Sequence, residues 1–262
     1  MKTQNRDLGH NLIKARKNHS CYGMGLGIII LVDVYPGFPG DVRNACTYPY
    51  NVQFEIVQDV DIQTLVFAEE KSPCLEPIIR AAKNLEKKGC RAISAECGYF
   101  AYFQSEISET VDIPVLMSSL LQVPLAQQII SPKKVVGLYV GAESALRDEH
   151  LIEMGIKLNS NYVVTGATDG GKCQEFQNLW IDGIRPNPPQ AYYDKAEKEF
   201  VELGVDFFRQ HPNMGAMVLE CTGFPPFARA LQREINIPLF SYSTLLDYAY
   251  SVVVHRDFYG HV

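Results

Sequence analysis

Apolar residues along this chain follow two alternating spacings. Runs of strand length are separated by stretches in which apolar side chains return every three or four positions. Ile28 to Val34 is β-rich and almost uninterrupted, which predicts a strand buried on both faces. Val52, Phe54 and Ile56 alternate with Gln53 and Glu55, which predicts a second strand. From Ser72 the spacing changes: Leu75, Ile78, Ile79, Ala82 and Leu85 share one helical face. Pro73 sits in the first turn of that helix, Lys87 and Lys88 in the last, and Gly89 just beyond. Further strands are predicted at 91–97, 113–117, 135–140, 162–165 and 216–221, with helices at about 190–209 and 244–255. Strands separated by helices predict α/β layers with largely parallel sheets.

Composition narrows the picture. The chain has 262 residues, 47% of them hydrophobic and 21% charged, so wholesale disorder is excluded. A net charge of −6 weighs against nucleic-acid binding. The apolar run beginning at Gly27 is far shorter than the roughly 20 residues of a membrane span, so neither nucleic acid nor membrane is expected as a partner. Met1 to Tyr22 is a polar, basic stretch that reads as an extension ahead of the fold. The seven cysteines, at 21, 46, 74, 90, 97, 173 and 221, are odd in number and scattered. They argue against a disulfide scaffold and for a reduced, cytoplasmic chain. No Cys/His spacing suits a zinc site.

Two of those cysteines belong to an internal repeat. Residues 96–121 align without a gap on 220–245, with eight identities in 26 positions. Glu96-Cys97, Phe100, Phe103 and Ile113-Pro114 match Glu220-Cys221, Phe224, Phe227 and Ile237-Pro238, and Ser119 and Leu121 match Ser243 and Leu245. The shared unit is a strand, a cysteine at its carboxyl end, a helix, and a strand opening Ile-Pro. Ligands in open α/β sheets bind outside the carboxyl ends of strands. A lone cysteine there is usually inert core, but two at equivalent positions predict two lobes facing one another with both thiols on one cleft. The expected division is lobe 1 over 23–119 plus 244–262 and lobe 2 over 120–243.

Thiols on opposite sides of a substrate carbon can take a proton from one face and give one to the other. Such chemistry needs no metal and no organic cofactor. The helix start after each cysteine is expected to bring the thiol toward neutrality. The carbanionic intermediate needs fixed donors around a substrate carboxylate. Amides near Gly98, Thr222 and Gly223, and the Thr222 hydroxyl, are candidates.

These residues resemble the aspartate/glutamate racemase superfamily of cofactor-independent racemases and isomerases. The resemblance covers about 25–250. It is strongest at Val218-Leu219-Glu220-Cys221-Thr222-Gly223-Phe224-Pro225-Pro226, with Ala95-Glu96-Cys97-Gly98 at the place of the first cysteine. It implies two α/β lobes, an active site between them and Cys97 and Cys221 as paired acid and base. The implied substrate is a small carboxylate, an amino acid or derivative, interconverted by a racemase or epimerase; a homo-oligomer is compatible with it. Maleate-type isomerisation, hydantoin racemisation and ligand binding without turnover are the alternatives. The chain departs from the amino-acid racemase pattern in having Gly98-Tyr99 where Asn-Thr is common, and Gly223 where glutamate racemases have His. Neither glutamate nor aspartate is therefore assigned as substrate.

Other residues carry weaker signals. Arg43 follows the first strand and could clamp a carboxylate or pair with Asp41. Ser144 could line the cleft of the second lobe, although capping of the next helix is the better reading. Glu96 and Glu220 alternate with the cysteines along their strands, which predicts that they point to the opposite face.

Overall fold

A computed structural model describes residues 21–256 and 258. The stretch 1–20 of the polar extension and the last residues assigned to lobe 1, 257 and 259–262, lie outside the described residues.

The apolar strands form two parallel four-stranded sheets. In the first sheet, β1 (Leu26–Leu31) lies between β2 (Val52–Val57) and β3 (Ala92–Ala95), and β4 (Val115–Leu116) extends the edge beyond β3. In the second, β5 (Val135–Val140) lies between β6 (Tyr162–Gly166) and β7 (Met214–Leu219), with β8 (Leu239–Phe240) beyond β7. The strand orders, β2-β1-β3-β4 and β6-β5-β7-β8, are the same winding used twice. The repeat seen in the sequence is thus a repeat of topology, and each repeated cysteine follows the third strand of its sheet.

Every residue of β1 is buried, as its unbroken apolar run requires. The strand ends at Leu31, three residues before the apolar run does, and Val34 is exposed. Strand 113–117 shortens to β4 in the same way. Helix α1 (Ser72–Lys87) buries Cys74, Ile78, Ala81, Ala82 and Leu85. Beyond it Gly89 turns the chain at φ 90°, a conformation that favours glycine. Helix α6 (Tyr193–Gln210) packs on α7 (Pro225–Ile235). In α7 Pro225 and Pro226 occupy the first turn and Asn236 closes the end in the left-handed region. Helix α8 (Tyr242–Val253) leaves the second sheet and packs against β3, burying Tyr242, Leu245 and Leu246 with Leu26 and Ile28 of β1.

The largest core cluster runs from one sheet to the other. Its second-lobe part is aromatic. Tyr139 stacks on Phe200 at 4.7 Å, Phe176 stacks on Trp180 at 4.8 Å, and Phe224 packs between them. That block fixes Trp180, the end of α5 (Gln174–Trp180), beside the cleft.

Candidate functional site

The two strand ends are built alike. The amide of Glu96 donates to Ile29 O at 2.7 Å, and that of Glu220 to Tyr139 O at 2.8 Å. Each carboxylate then accepts from the residue two further along the neighbouring strand path, Oε2 of Glu96 from Leu31 N at 3.3 Å and Oε2 of Glu220 from Gly141 N at 2.9 Å. Each sulfur takes the amide two residues on, Cys97 from Tyr99 and Cys221 from Gly223.

The helices that follow differ. After Cys221 the chain enters α7 through a short turn. After Cys97 it forms a 3-10 turn, Gly98–Phe103, and only then the five residues of α2 (Gln104–Ser108). The expected lowering of the thiols is reversed. Burial pushes both well above the ordinary thiol range, the charge of Glu220 adds to the rise, and the single amide on each sulfur offsets only part of it.

Both cysteines line one half-open cavity between the sheets. Tyr35, Phe67, Tyr99 and Trp180 give it aromatic walls, and Leu31, Ile62, Val66 and Ile181 add aliphatic ones. Glu96, Thr168 and Thr222 are its polar lining besides the thiols and the two tyrosines, and no Lys or Arg is part of it. The described residues contain no group of three His, Cys, Asp or Glu side chains able to hold a metal ion.

Of the residues singled out in the sequence, Cys97, Tyr99, Cys221 and Thr222 meet at this cavity. Tyr99 spans the lobes: its hydroxyl donates to Ala142 O at 2.5 Å and accepts from Ala142 N at 2.9 Å. Gly98 and Gly223 lie behind the lining. A Cβ on Gly98 would stand 1.7 Å from Glu220 Oε1, and one on Gly223 would stand 2.6 Å from Trp180 Cζ2. Arg43 does not form the expected side-chain pair with Asp41. Its guanidinium pairs with Glu96 at 3.2 Å, donates to the carbonyls of Asp33 and Tyr35, and covers the Tyr35 ring at 3.6 Å. Asp41 meets only its backbone amide, at 2.8 Å. Ser144 is exposed on a 3-10 turn, and its amide donates to Asp169 Oδ1. It caps nothing: the amide that opens α4 (Asp148–Glu153), that of Arg147, is taken by His150 Nδ1.

The glutamates are a correction. Glu96 lines the same cavity as Cys97, and the Tyr35 hydroxyl donates to its Oε1. Glu220 is 1% exposed, and its Oε1 has no hydrogen-bond partner. Burial raises Glu220 to about 7 against one opposing amide, from Gly141. Burial followed by the charge of Glu96 raises Asp41 to about 8. Trp180 had no local sequence signal and reaches the site through the aromatic block. Tyr35 and Thr168 lie on the loops 35–44 and 166–171, whose place after strand ends is the signal that puts them at the cleft.

No protein-family model matches the chain. Curated relatives include dimethylsulfoniopropionate lyase 3 of Emiliania huxleyi, 25% identical over 225 residues, covering 82% of this chain and 56% of the relative. The dimethylsulfoniopropionate lyase of Durusdinium sp. clade D is 23% identical over 239 residues, 89% of this chain and 73% of the relative. The chain spans little more than half the length of the first of these. Solved structures with similar architecture include unliganded arylmalonate decarboxylase, with a TM-score of 0.53 and 14% identity over 88% of this chain and 92% of the other. The aspartate racemase of Picrophilus torridus gives 0.52 and 17%, over 87% and 93%. A glutamate racemase isoform from Bacillus anthracis gives 0.53 and 10%, over 88% and 81%. With its two like-wound parallel sheets, this chain has the fold of the aspartate/glutamate racemase superfamily.

Proposed function

We propose that this chain is a cofactor-independent enzyme that removes the proton beside a substrate carboxylate with a thiolate, and that its reaction is β-elimination from a short carboxylate bearing an onium group, of the dimethylsulfoniopropionate kind. The carrying observation is the cavity lining: two thiols, four aromatic rings and no basic side chain. Aromatic faces suit a sulfonium, whose charge is attracted by ring quadrupoles. A dicarboxylate such as aspartate would call for cationic partners that the lining lacks. The sequence relatives named for dimethylsulfoniopropionate cleavage support the same choice.

The step balances without a co-reactant. One thiolate takes a proton from the carbon next to the carboxylate. The freed electron pair becomes the carbon–carbon double bond, and the carbon–sulfur bond breaks with its pair going to sulfur. Dimethyl sulfide and acrylate leave, and the thiol returns its proton to water.

Headspace chromatography for dimethyl sulfide, with acrylate measured in solution, tests this. The expected result is release of both in equal amounts, lost by about 10²-fold or more when the acting cysteine becomes serine. Folded protein that yields neither product from dimethylsulfoniopropionate sinks the proposal.

Racemisation of an amino acid or derivative is the second reading. The duplicated arrangement of strand end, thiol and amide favours it, since racemisation needs a base on each face. Deuterium incorporation at the α-carbon across amino acids and hydantoins distinguishes the two. Racemisation requires both Cys97 and Cys221, so Cys97→Ser and Cys221→Ser each abolish it. Elimination requires one base, so the two variants differ in severity.

A further inference from the structure

The two lobes differ at one matched pair of carboxyl groups. Glu96 and Glu220 occupy the same place in the repeat, and each rests Oε2 on a backbone amide. At Glu96 the rest of the carboxylate is satisfied by Tyr35 and by the Arg43 guanidinium. At Glu220 Oε1 is buried without a partner, and among the described residues no Lys or Arg pairs with it. The Glu220 side chain crosses from the second lobe and lies directly on Gly98, where a Cβ would fall 2.4 Å from its carboxyl carbon. It therefore lies against the backbone next to Cys97 while being adjacent in sequence to Cys221.

Four titratable groups feel its charge: Cys97 and Tyr99 on and beside the 3-10 turn, Tyr242 at the start of α8, and Cys221 next to it. Glu96, Asp33 and Asp41 act more weakly on one thiol or the other. Both tyrosine hydroxyls are committed to carbonyls, Tyr99 to Ala142 and Tyr242 to Met117 at 2.9 Å. The thiols are left as the protons that the carboxyl can influence.

We propose that Glu220 is a positioning residue for proton transfer, and that the charge on its carboxyl sets how readily both Cys97 and Cys221 give up their protons. When Glu220 is ionised, a negative charge beside each sulfur opposes thiolate formation. When it is neutral, that opposition is removed. With its titration near 7, both forms are populated around neutrality. The inference rests on the reading of the two cysteines as proton-transfer groups, yet it is tested without turnover.

The experiment measures the rate of iodoacetamide alkylation at each cysteine from pH 5 to 10, by peptide mass spectrometry. In the unaltered protein the logarithm of the rate is expected to climb, flatten near pH 7 as Glu220 ionises, and climb again. In Glu220→Gln the flattening disappears, and both cysteines react about tenfold faster at pH 8, the effect of one pKa unit. A straight climb in the unaltered protein overturns the proposal, and so does a flattening that persists in folded Glu220→Gln. Should that variant fail to fold, infrared titration of the unaltered protein decides. A protonated-carboxyl band lost at the pH of the flattening supports the proposal, and its absence overturns it. Because no substrate is present, failure to release dimethyl sulfide and failure of the alkylation profile are separate results.

Discussion

A methyl group at position 98 has no space to occupy. It would meet Glu220 Oε1 at 1.7 Å and Cγ at 2.7 Å, so moving the carboxyl tip alone does not make room. Moving the whole side chain pulls Oε2 off the Gly141 amide and leaves that amide unsatisfied. Overpacking costs about 1–3 kcal/mol, and an orphaned buried group a similar amount. Gly98→Ala is therefore expected to lower the unfolding free energy by about 2–4 kcal/mol in urea titrations. Glu220→Ala in the same chain should recover the overpacking part of that loss but not the part that comes from the unpaired Gly141 amide, and strictly additive losses would place the clash elsewhere. The glycine at 98 and the glutamate at 220 thus form one unit across the two lobes. At this scale the sequence showed the thiols because a repeat marks both of them. It hid the glutamates because the two-residue alternation was carried past the strand. β3 ends at Ala95 and β7 at Leu219, so Glu96 and Glu220 lie in the turn, where alternation no longer fixes the face. Arg43 was hidden for another reason: its partner, Glu96, lies 53 positions away.

One wall of the cavity is an element that periodicity does not reveal. Gln63–Phe67 forms a π-helical turn that presents Ile62, Val66 and Phe67 to the cleft. Two cations from outside the turn satisfy its carbonyl end. Lys71 is 1% exposed and donates to Leu65 O at 2.6 Å and to Val66 O and Ala68 O at 3.1 Å. Arg147 reaches over from the second lobe to Ala68 O at 2.8 Å and Glu69 O at 2.7 Å. Lys71→Met keeps the apolar stem and removes the ammonium, leaving the Leu65 and Val66 carbonyls unpaired at about 1 kcal/mol or more each, while Ala68 O keeps Arg147. The expected outcome is a loss of roughly 2 kcal/mol or more in stability. Amide hydrogen exchange across 62–70 should quicken, and KM should rise more than kcat falls. Unchanged exchange in that segment would show that the wall is held by its apolar side alone. Elements with a clear period, α1, α6 and the central strands, were legible because side-chain burial defines them. This turn was not, because side chains from elsewhere hold its backbone.

At the scale of the molecule, polar contacts span the cleft and bring the lobes together around buried acids. Besides Tyr99 and Arg147, Arg185 pairs with Asp33 at 3.2 Å, and the Ser119 hydroxyl donates to Leu219 O at 2.7 Å. The closed arrangement keeps Glu220 and Asp41 out of water, and burial raises both, to about 7 and about 8. A carboxyl raised in the folded state favours folding fully below its unfolded value, near 4, and that contribution is lost as pH rises through the folded value. Across this window the unfolded chain has released protons that the folded chain keeps, so the slope of stability with pH is negative. Between about pH 4 and pH 8 these two groups should therefore destabilise the fold progressively, the reverse of what salt-bridged carboxylates do. The two can be separated with Glu220→Gln, which cannot ionise while Asp41 remains. Urea midpoints at pH 5 and pH 8.5 should fall in the unaltered protein and fall less in the variant. The difference between the two losses over that range has an upper bound of roughly 3 kcal/mol from the displacement of Glu220 alone. Parallel losses in the two proteins would mean that Glu220 is already ionised at pH 5. The lobes would then hold a buried charge with no counter-ion, and the control of both thiols by one neutral carboxyl would fail with it.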